Sequence, residues 1–311
     1  MTYGRNTDMG FFRLTPDSPI RRIGLSVVCI LSVASCDKFG LGDVKNPTAP
    51  GPPSAGAAVI YTAIGASDAN GVGSSVPCAP LDHTCPGMGY VHVTARQLTA
   101  QGFSVSLTNL GLPTAVIGRD FETLGQQFSR TIIGNFIDQE MPFIPRNTTV
   151  VTIFAGGNEV NTITAALGAG VGGNDPNGYI DNQVKAFGAD YTTLLNGIRD
   201  RAGSPRIVIL NTPNMAGLPY LSGASAAQRQ AAQRASVGMT RTVVNPLASP
   251  NTVVVDLMCD SRTYQRSNYS SDGLHPNDAG YAYMAAEVVR AVTSNAYPAP
   301  QSNCSAMSLV Q

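Results

Sequence analysis

The chain has 311 residues, 43% of them hydrophobic and only 13% charged, enough to bury one sizeable core as a single large domain. Twenty basic residues offset twenty acidic ones, so no electrostatic footprint draws it to nucleic acid, which is not an expected partner. With three histidines and no C-x-x-C pair, a structural metal site is not expected either.

In chain order, the first element is an export signal. Arg21 and Arg22 precede an apolar run from Ile23 to Val33, followed by the small residues Ala34 and Ser35 and then Cys36. The run is shorter than the roughly 20 apolar residues a membrane-spanning helix needs, so residues 1–36 read as a signal peptide. The twenty residues before Arg21 make the segment long, and Met9 is an alternative start. Val33-Ala34-Ser35-Cys36 resembles a bacterial lipobox. That resemblance implies cleavage before Cys36, whose acylated thiol anchors the mature protein; each buried methylene contributes about 0.8 kcal/mol. The expected location is exported and lipid-anchored to a bacterial membrane, on its periplasmic or cell-surface face. Asp37, by resemblance to enterobacterial lipoproteins, points to retention at the inner membrane. An ordinary cleaved signal peptide is the alternative. Residues 37–56, rich in Pro, Gly, Ala and Asn, read as a disordered tether, and 57–311 as the folded domain.

Export removes Cys29 and commits Cys36 to lipid, leaving Cys78, Cys85, Cys259 and Cys304. In an oxidising compartment four cysteines suggest two disulfides. Of three connectivities the sequence-local one pairs Cys78 with Cys85 and Cys259 with Cys304, stapling the C-terminal tail.

Five short β-branched runs follow: Ala58 to Ile64, Ser104 to Asn109, Thr148 to Phe154, Arg206 to Asn211 and Thr252 to Leu257. Most are continuously apolar, as strands covered on both faces must be, which predicts a parallel sheet. Helical patterns at Gly87–Gln101, Arg119–Asp138, Asp181–Arg201, Ala224–Val244 and Asp278–Thr293 alternate with them, giving a doubly wound α/β domain. A Gly- and Asn-rich stretch, Gly168 to Gly178, lies between the third strand and its helix and reads as a substrate-side loop or a plain connection. In such a sheet, chemistry belongs in the loops after the strands.

Those loops carry the polar residues. The first strand runs into Ile64-Gly65-Ala66-Ser67-Asp68-Ala69-Asn70-Gly71, which places Ser67 on a glycine-flanked turn. A serine hydroxyl needs a base to take its proton, and the base needs a third group to hold it. Ser271-Asp272-Gly273-Leu274-His275-Pro276-Asn277 supplies both, with Asp272 three residues before His275. The third strand ends in Phe154-Ala155-Gly156-Gly157-Asn158-Glu159, offering the Asn158 amide as an oxyanion donor beside the Ser67 N–H. A third donor is expected from the loop Asn109-Leu110-Gly111-Leu112-Pro113-Thr114, and the residues leave its position there open. His83 and His92 lack such a context and read as structural.

These segments, in this order, resemble the blocks of the SGNH hydrolase superfamily, also called GDSL esterases and lipases, over Ala58 to Thr293. Ser67 with Gly71 fits the G-x-S-x-x-x-G block, Asn158 the G-x-N block, and Asp272 with His275 the D-x-x-H block. The resemblance implies a three-layer α/β/α sandwich on a five-stranded parallel sheet, flavodoxin-like in build. It also implies no cofactor, and hydrolysis of carboxylic esters through an acyl-enzyme. Ala66 stands where many members carry aspartate, Glu159 where aspartate commonly follows the asparagine, and Thr114 where the oxyanion glycine usually falls, so the resemblance implies the Thr114 N–H as third oxyanion donor or, with the loop shifted, that of Gly111. Expected substrates are small-molecule, lipid or glycan esters. An acyltransferase with the same triad, or a lipoprotein that binds glycan or lipid without catalysis, are the alternatives.

Overall fold

Five apolar runs pair side by side in one sheet: β1 (Ala58–Gly65), β2 (Ser104–Asn109), β3 (Val150–Phe154), β4 (Arg206–Leu210) and β5 (Thr252–Val255). All neighbours are parallel, in the order β2-β1-β3-β4-β5. The computed structural model describes residues 51–82 and 84–310. The signal segment with Cys36, the first part of the tether and His83 lie outside the described residues.

Among the described residues six α-helices cover the sheet: α1 (Tyr90–Ala100), α2 (Arg119–Gln127), α3 (Gly157–Gly168), α4 (Pro176–Ala202), α5 (Ala226–Gly238) and α6 (Asp278–Thr293). Strand side chains alternate between faces, and the core divides accordingly. Tyr61, Ala63, Val208 and Leu210 pack with Tyr90, Leu98, Tyr281 and Val288 of α1 and α6. Ile64, Ile153, Ile207 and Ile209 pack on the other side with Phe121, Val160, Phe187 and Ala235 of α2 to α5. Burial on both faces is why β3 and β4 are almost wholly apolar, broken only by Thr152 and Arg206, as expected of a three-layer α/β/α sandwich. The direction of winding reverses between β1 and β3, so a crevice opens at their carboxyl ends.

Several boundaries differ from the sequence reading. The helix read as Arg119–Asp138 stops at Gln127. Ser129 takes the left-handed conformation (φ 60°), and the Arg130 and Ser129 N–H groups close back on the Gly125 and Gln126 carbonyls. This is a Schellman ending with serine where glycine is usual. A π-helical turn, Phe136–Glu140, follows, with Asn135 accepting from the Asp138 N–H. The helix α3 was not foreseen, because Asn-Glu-Val-Asn-Thr-Ile-Thr mixes weak helix formers. The Gly168–Gly178 stretch therefore joins two helices rather than a strand and its helix. The next helix begins at Pro176, five residues before the predicted Asp181, with Asp175 accepting from the Gly178 N–H at its start. The regular part of α5 ends at Gly238 and continues as a π-helical turn, Met239–Val244.

Both sequence-local disulfides are formed, Cys78–Cys85 and Cys259–Cys304, with Cα–Cα distances of 5.9 and 5.8 Å. The second anchors the tail, and beyond it Asn214 donates to the Ala306 carbonyl while Gln233 exchanges hydrogen bonds with Val310. Such bonds form and persist in oxidising compartments outside the cytoplasm. Among the described residues no helix is long and apolar enough to cross a membrane.

Candidate active site

The end of β1 sets the position of Ser67. Past Gly65 the chain turns tightly, with the Ala69 N–H donating to the Ala66 carbonyl and the Val72 N–H to that of Ser67. Two buried asparagines knit this turn to the loop after β2. Asn70 donates from Nδ2 to the Gly111 carbonyl at 2.7 Å, and Asn109 donates to the Ala69 carbonyl at 2.8 Å. Across the site, Gly73 (φ 94°) lets the same loop press against the histidine turn. A Cβ there would lie 2.7 Å from both the His275 Cβ and the Pro276 carbonyl oxygen, a contact no other residue accommodates.

The second segment is a self-contained turn. Asp272 Oδ1 accepts from the Ser270 hydroxyl (2.8 Å), the Leu274 N–H (2.8 Å) and the His275 N–H (2.9 Å), while Oδ2 accepts from His275 Nδ1 at 2.6 Å. With that proton on Nδ1, Nε2 accepts from the Ser67 hydroxyl at 2.8 Å. Partial burial acts to raise the Asp272 pKa, but the His275 ring and the other donors outweigh it and hold the carboxyl at about 2. It is therefore ionised at neutral pH. The turn is docked by the Tyr220 N–H on the Gly273 carbonyl, and α6 by Asp278, which accepts from the Ser75 N–H and hydroxyl. The hydroxyl of Tyr281, on the first turn of α6, donates to the Val72 carbonyl at 2.7 Å.

The third segment follows β3, whose Phe154 is paired with Gly65, so Asn158 and Ser67 leave adjacent strand ends. Asn158 stands in the first turn of α3. Its Nδ2 donates to the Ala115 carbonyl at 2.9 Å, and its Oδ1 accepts from Arg130. Of the two candidates after β2, Gly111 uses its N–H on Asn109 Oδ1 at 3.2 Å. Thr114 adopts φ 67°, and among the described residues no hydrogen bond engages its N–H. His92 is buried on the first turn of α1, its Nε2 3.3 Å from the Asp82 carbonyl.

Two buried carboxyl groups, neither identified from the sequence as a site residue in this sense, hold the loops in place. Glu140 accepts from the Gly65 N–H (2.9 Å) and the Leu112 N–H (3.3 Å), linking the serine turn to the loop of Thr114. Glu159 accepts from the Ile117 N–H (2.6 Å) and the Gly156 N–H (2.8 Å). Burial drives the Glu140 pKa well above the usual carboxylate range, against the two N–H donors. It raises that of Glu159 to about 7 despite its N–H partners. Glu140 left no sequence signal, since a lone acidic residue after a helical pattern is indistinguishable from a solvated one.

The GDSL-like lipase/acylhydrolase family model matches residues 63–283, which takes in all of these segments. Among solved structures, a lipase from a goat rumen metagenome superposes with a TM-score of 0.53 at 19% identity, covering 76% of this chain and 98% of the other. An extracellular lipase from Streptomyces rimosus gives 0.49 at 18% identity, covering 76% and 100%. Among curated proteins none matches.

Proposed function

The chain belongs to the GDSL-like lipase/acylhydrolase family and is an ester-hydrolysing enzyme; from this premise we propose that Ser67, His275 and Asp272 are its catalytic triad. The observation that most supports the reading is the unbroken hydrogen-bonded line from Asp272 Oδ2 to His275 Nδ1 (2.6 Å) and from Nε2 to Ser67 Oγ (2.8 Å).

Ser67 Oγ attacks the ester carbonyl carbon as its proton passes to His275 Nε2. The tetrahedral intermediate collapses with cleavage of the acyl C–O bond, and the leaving alcohol takes that proton. Water then attacks the acyl-enzyme, His275 again accepts and returns a proton, and the acid is released with Ser67 restored. Asp272 stays ionised throughout and stabilises the imidazolium. The oxyanion is held by the Ser67 N–H, the Asn158 Nδ2–H and the Thr114 N–H. Thr114 is preferred to Gly111 because the Gly111 N–H is already engaged, and because Thr114 holds the left-handed conformation a glycine would adopt without strain. The substrate is an ester of a small molecule, lipid or glycan, and no cofactor takes part.

With p-nitrophenyl esters from acetate to palmitate, the folded wild type is expected to turn over. Ser67→Ala should lose about 10⁶-fold in kcat, the scale of removing a triad serine. A folded Ser67→Ala that retains hydrolysis would overturn the assignment. The same reading places the enzyme outside the cytoplasm, tethered through acylated Cys36. Incorporation of labelled palmitate, abolished by Cys36→Ser, checks the anchor, and equal labelling of both forms would refute it.

A further inference from the structure

Arg130 is a cation that feels the charge of Glu159 yet forms no ion pair with it. Its guanidinium is half-buried, Nε is buried with no hydrogen-bond partner, and among the described residues no ion pair includes it. Placing a charge there is costly, and so is the turn that delivers it. Ser129, immediately before, sits at φ 60°, a conformation that costs a non-glycine residue about 1 kcal/mol or more. Both costs fall at one point of the molecule, where Arg130 Nη2 reaches Asn158 Oδ1 at 3.4 Å.

At that distance the hydrogen bond is long, so its strength comes from charge. Its direction matters more. Asn158 has one carbonyl and one amino end, and two neighbours fix which is which: the Ala115 carbonyl receives an Nδ2 proton at 2.9 Å, and Arg130 faces Oδ1. Rotating the amide by half a turn would set Oδ1 against the Ala115 carbonyl and the amino group against a guanidinium, two repulsive contacts. The arrangement therefore keeps the second Nδ2 proton free as a donor, and the cation withdraws electron density from the amide, making that proton a better one.

We infer that Arg130 is a positioning residue of the oxyanion hole, acting through Asn158 by locking the orientation of its amide and polarising it toward the tetrahedral intermediate. The inference rests on the reading of Asn158 as an oxyanion donor. It predicts a charge requirement at a residue that does not touch the substrate.

The test compares wild type with Arg130→Met, which keeps bulk without charge, and Arg130→Lys, which keeps charge without the planar fork. A neutral ester supplies kcat and KM, a boronic acid that forms a tetrahedral adduct at Ser67 supplies an inhibition constant, and thermal unfolding reports folding. Arg130→Met should lower kcat about tenfold, less than the 10²- to 10³-fold cost of deleting an oxyanion donor outright. KM should stay within about twofold and boronate affinity should fall in step with kcat. Arg130→Lys should recover part of the loss, and it carries the test alone if the methionine variant does not fold. Unchanged kcat and boronate affinity in a folded variant would overturn the inference. So would a KM rise confined to negatively charged esters, which would make Arg130 a substrate-anion contact. Either result with active wild type and inactive Ser67→Ala leaves the triad standing, whereas active Ser67→Ala would remove the triad itself.

Discussion

On the β1–β3 side of the site, Ser67 follows a strand end and Asn158 starts a helix, and the backbone N–H groups of the segments beside them are taken by buried carboxyls. Glu140 is 0% exposed and Glu159 1%, and the bond from the Gly65 N–H to Glu140 spans 75 residues of sequence. On the other side, Asp272 and His275 are three residues apart in one turn, and the Asp272 side chain is 46% exposed. Removing a buried carboxyl leaves the N–H groups that donate to it unsatisfied in a low-dielectric interior, whereas an exposed turn can exchange a lost bond for water. The side of Ser67 and Asn158 should thus couple activity to stability, and the side of Asp272 and His275 should not.

The largest effect that sharpens this contrast is on the exposed side. Asp272→Asn should lower kcat by about 10⁴-fold by stabilising the wrong tautomer of His275, while thermal unfolding moves little. A matching collapse of stability would break the comparison. Smaller in activity but larger in stability, Glu140→Gln and Glu159→Gln each set an amino group against a backbone N–H and should cost about 1–3 kcal/mol, measured by denaturant unfolding. For Glu159 the sign of the pH dependence also follows. Its folded pKa of about 7 lies above its ordinary value, so the unfolded chain loses its proton first. The contribution is complete below the unfolded pKa and is lost as pH rises through about 7. Wild-type stability should therefore fall between pH 5 and 8, by on the order of 3 kcal/mol from this group, and Glu159→Gln should flatten that slope. An unchanged slope would show that Glu159 is ionised in the fold across the whole range.

The same contrast decides what could be read from the sequence. Asp272 and His275 were legible because their interaction is local: the spacing itself brings the carboxylate to the ring. Ser67 was legible from its glycine-flanked turn after a buried strand, and the strands from their β-branched, mostly apolar runs. The helix carrying Asn158 was not, since the glycine at φ 119° that pivots β3 into α3, and the carboxylate of Glu159 that caps it, replace propensity with tertiary contacts. Glu140 and Arg130 were illegible for the same reason. Each acts on a partner distant in sequence, and neither lies in a recurring pattern. Between Gly111 and Thr114, only the backbone geometry favours one donor over the other.

The most direct test of the central claim is covalent. Incubation of the purified protein with a fluorophosphonate, followed by peptide mapping by mass spectrometry, reads out which oxygen is nucleophilic. The account predicts one adduct per chain, on the peptide containing Ser67, formed by wild type and lost in Ser67→Ala. An adduct on another residue, or equal labelling of the alanine variant, would contradict it.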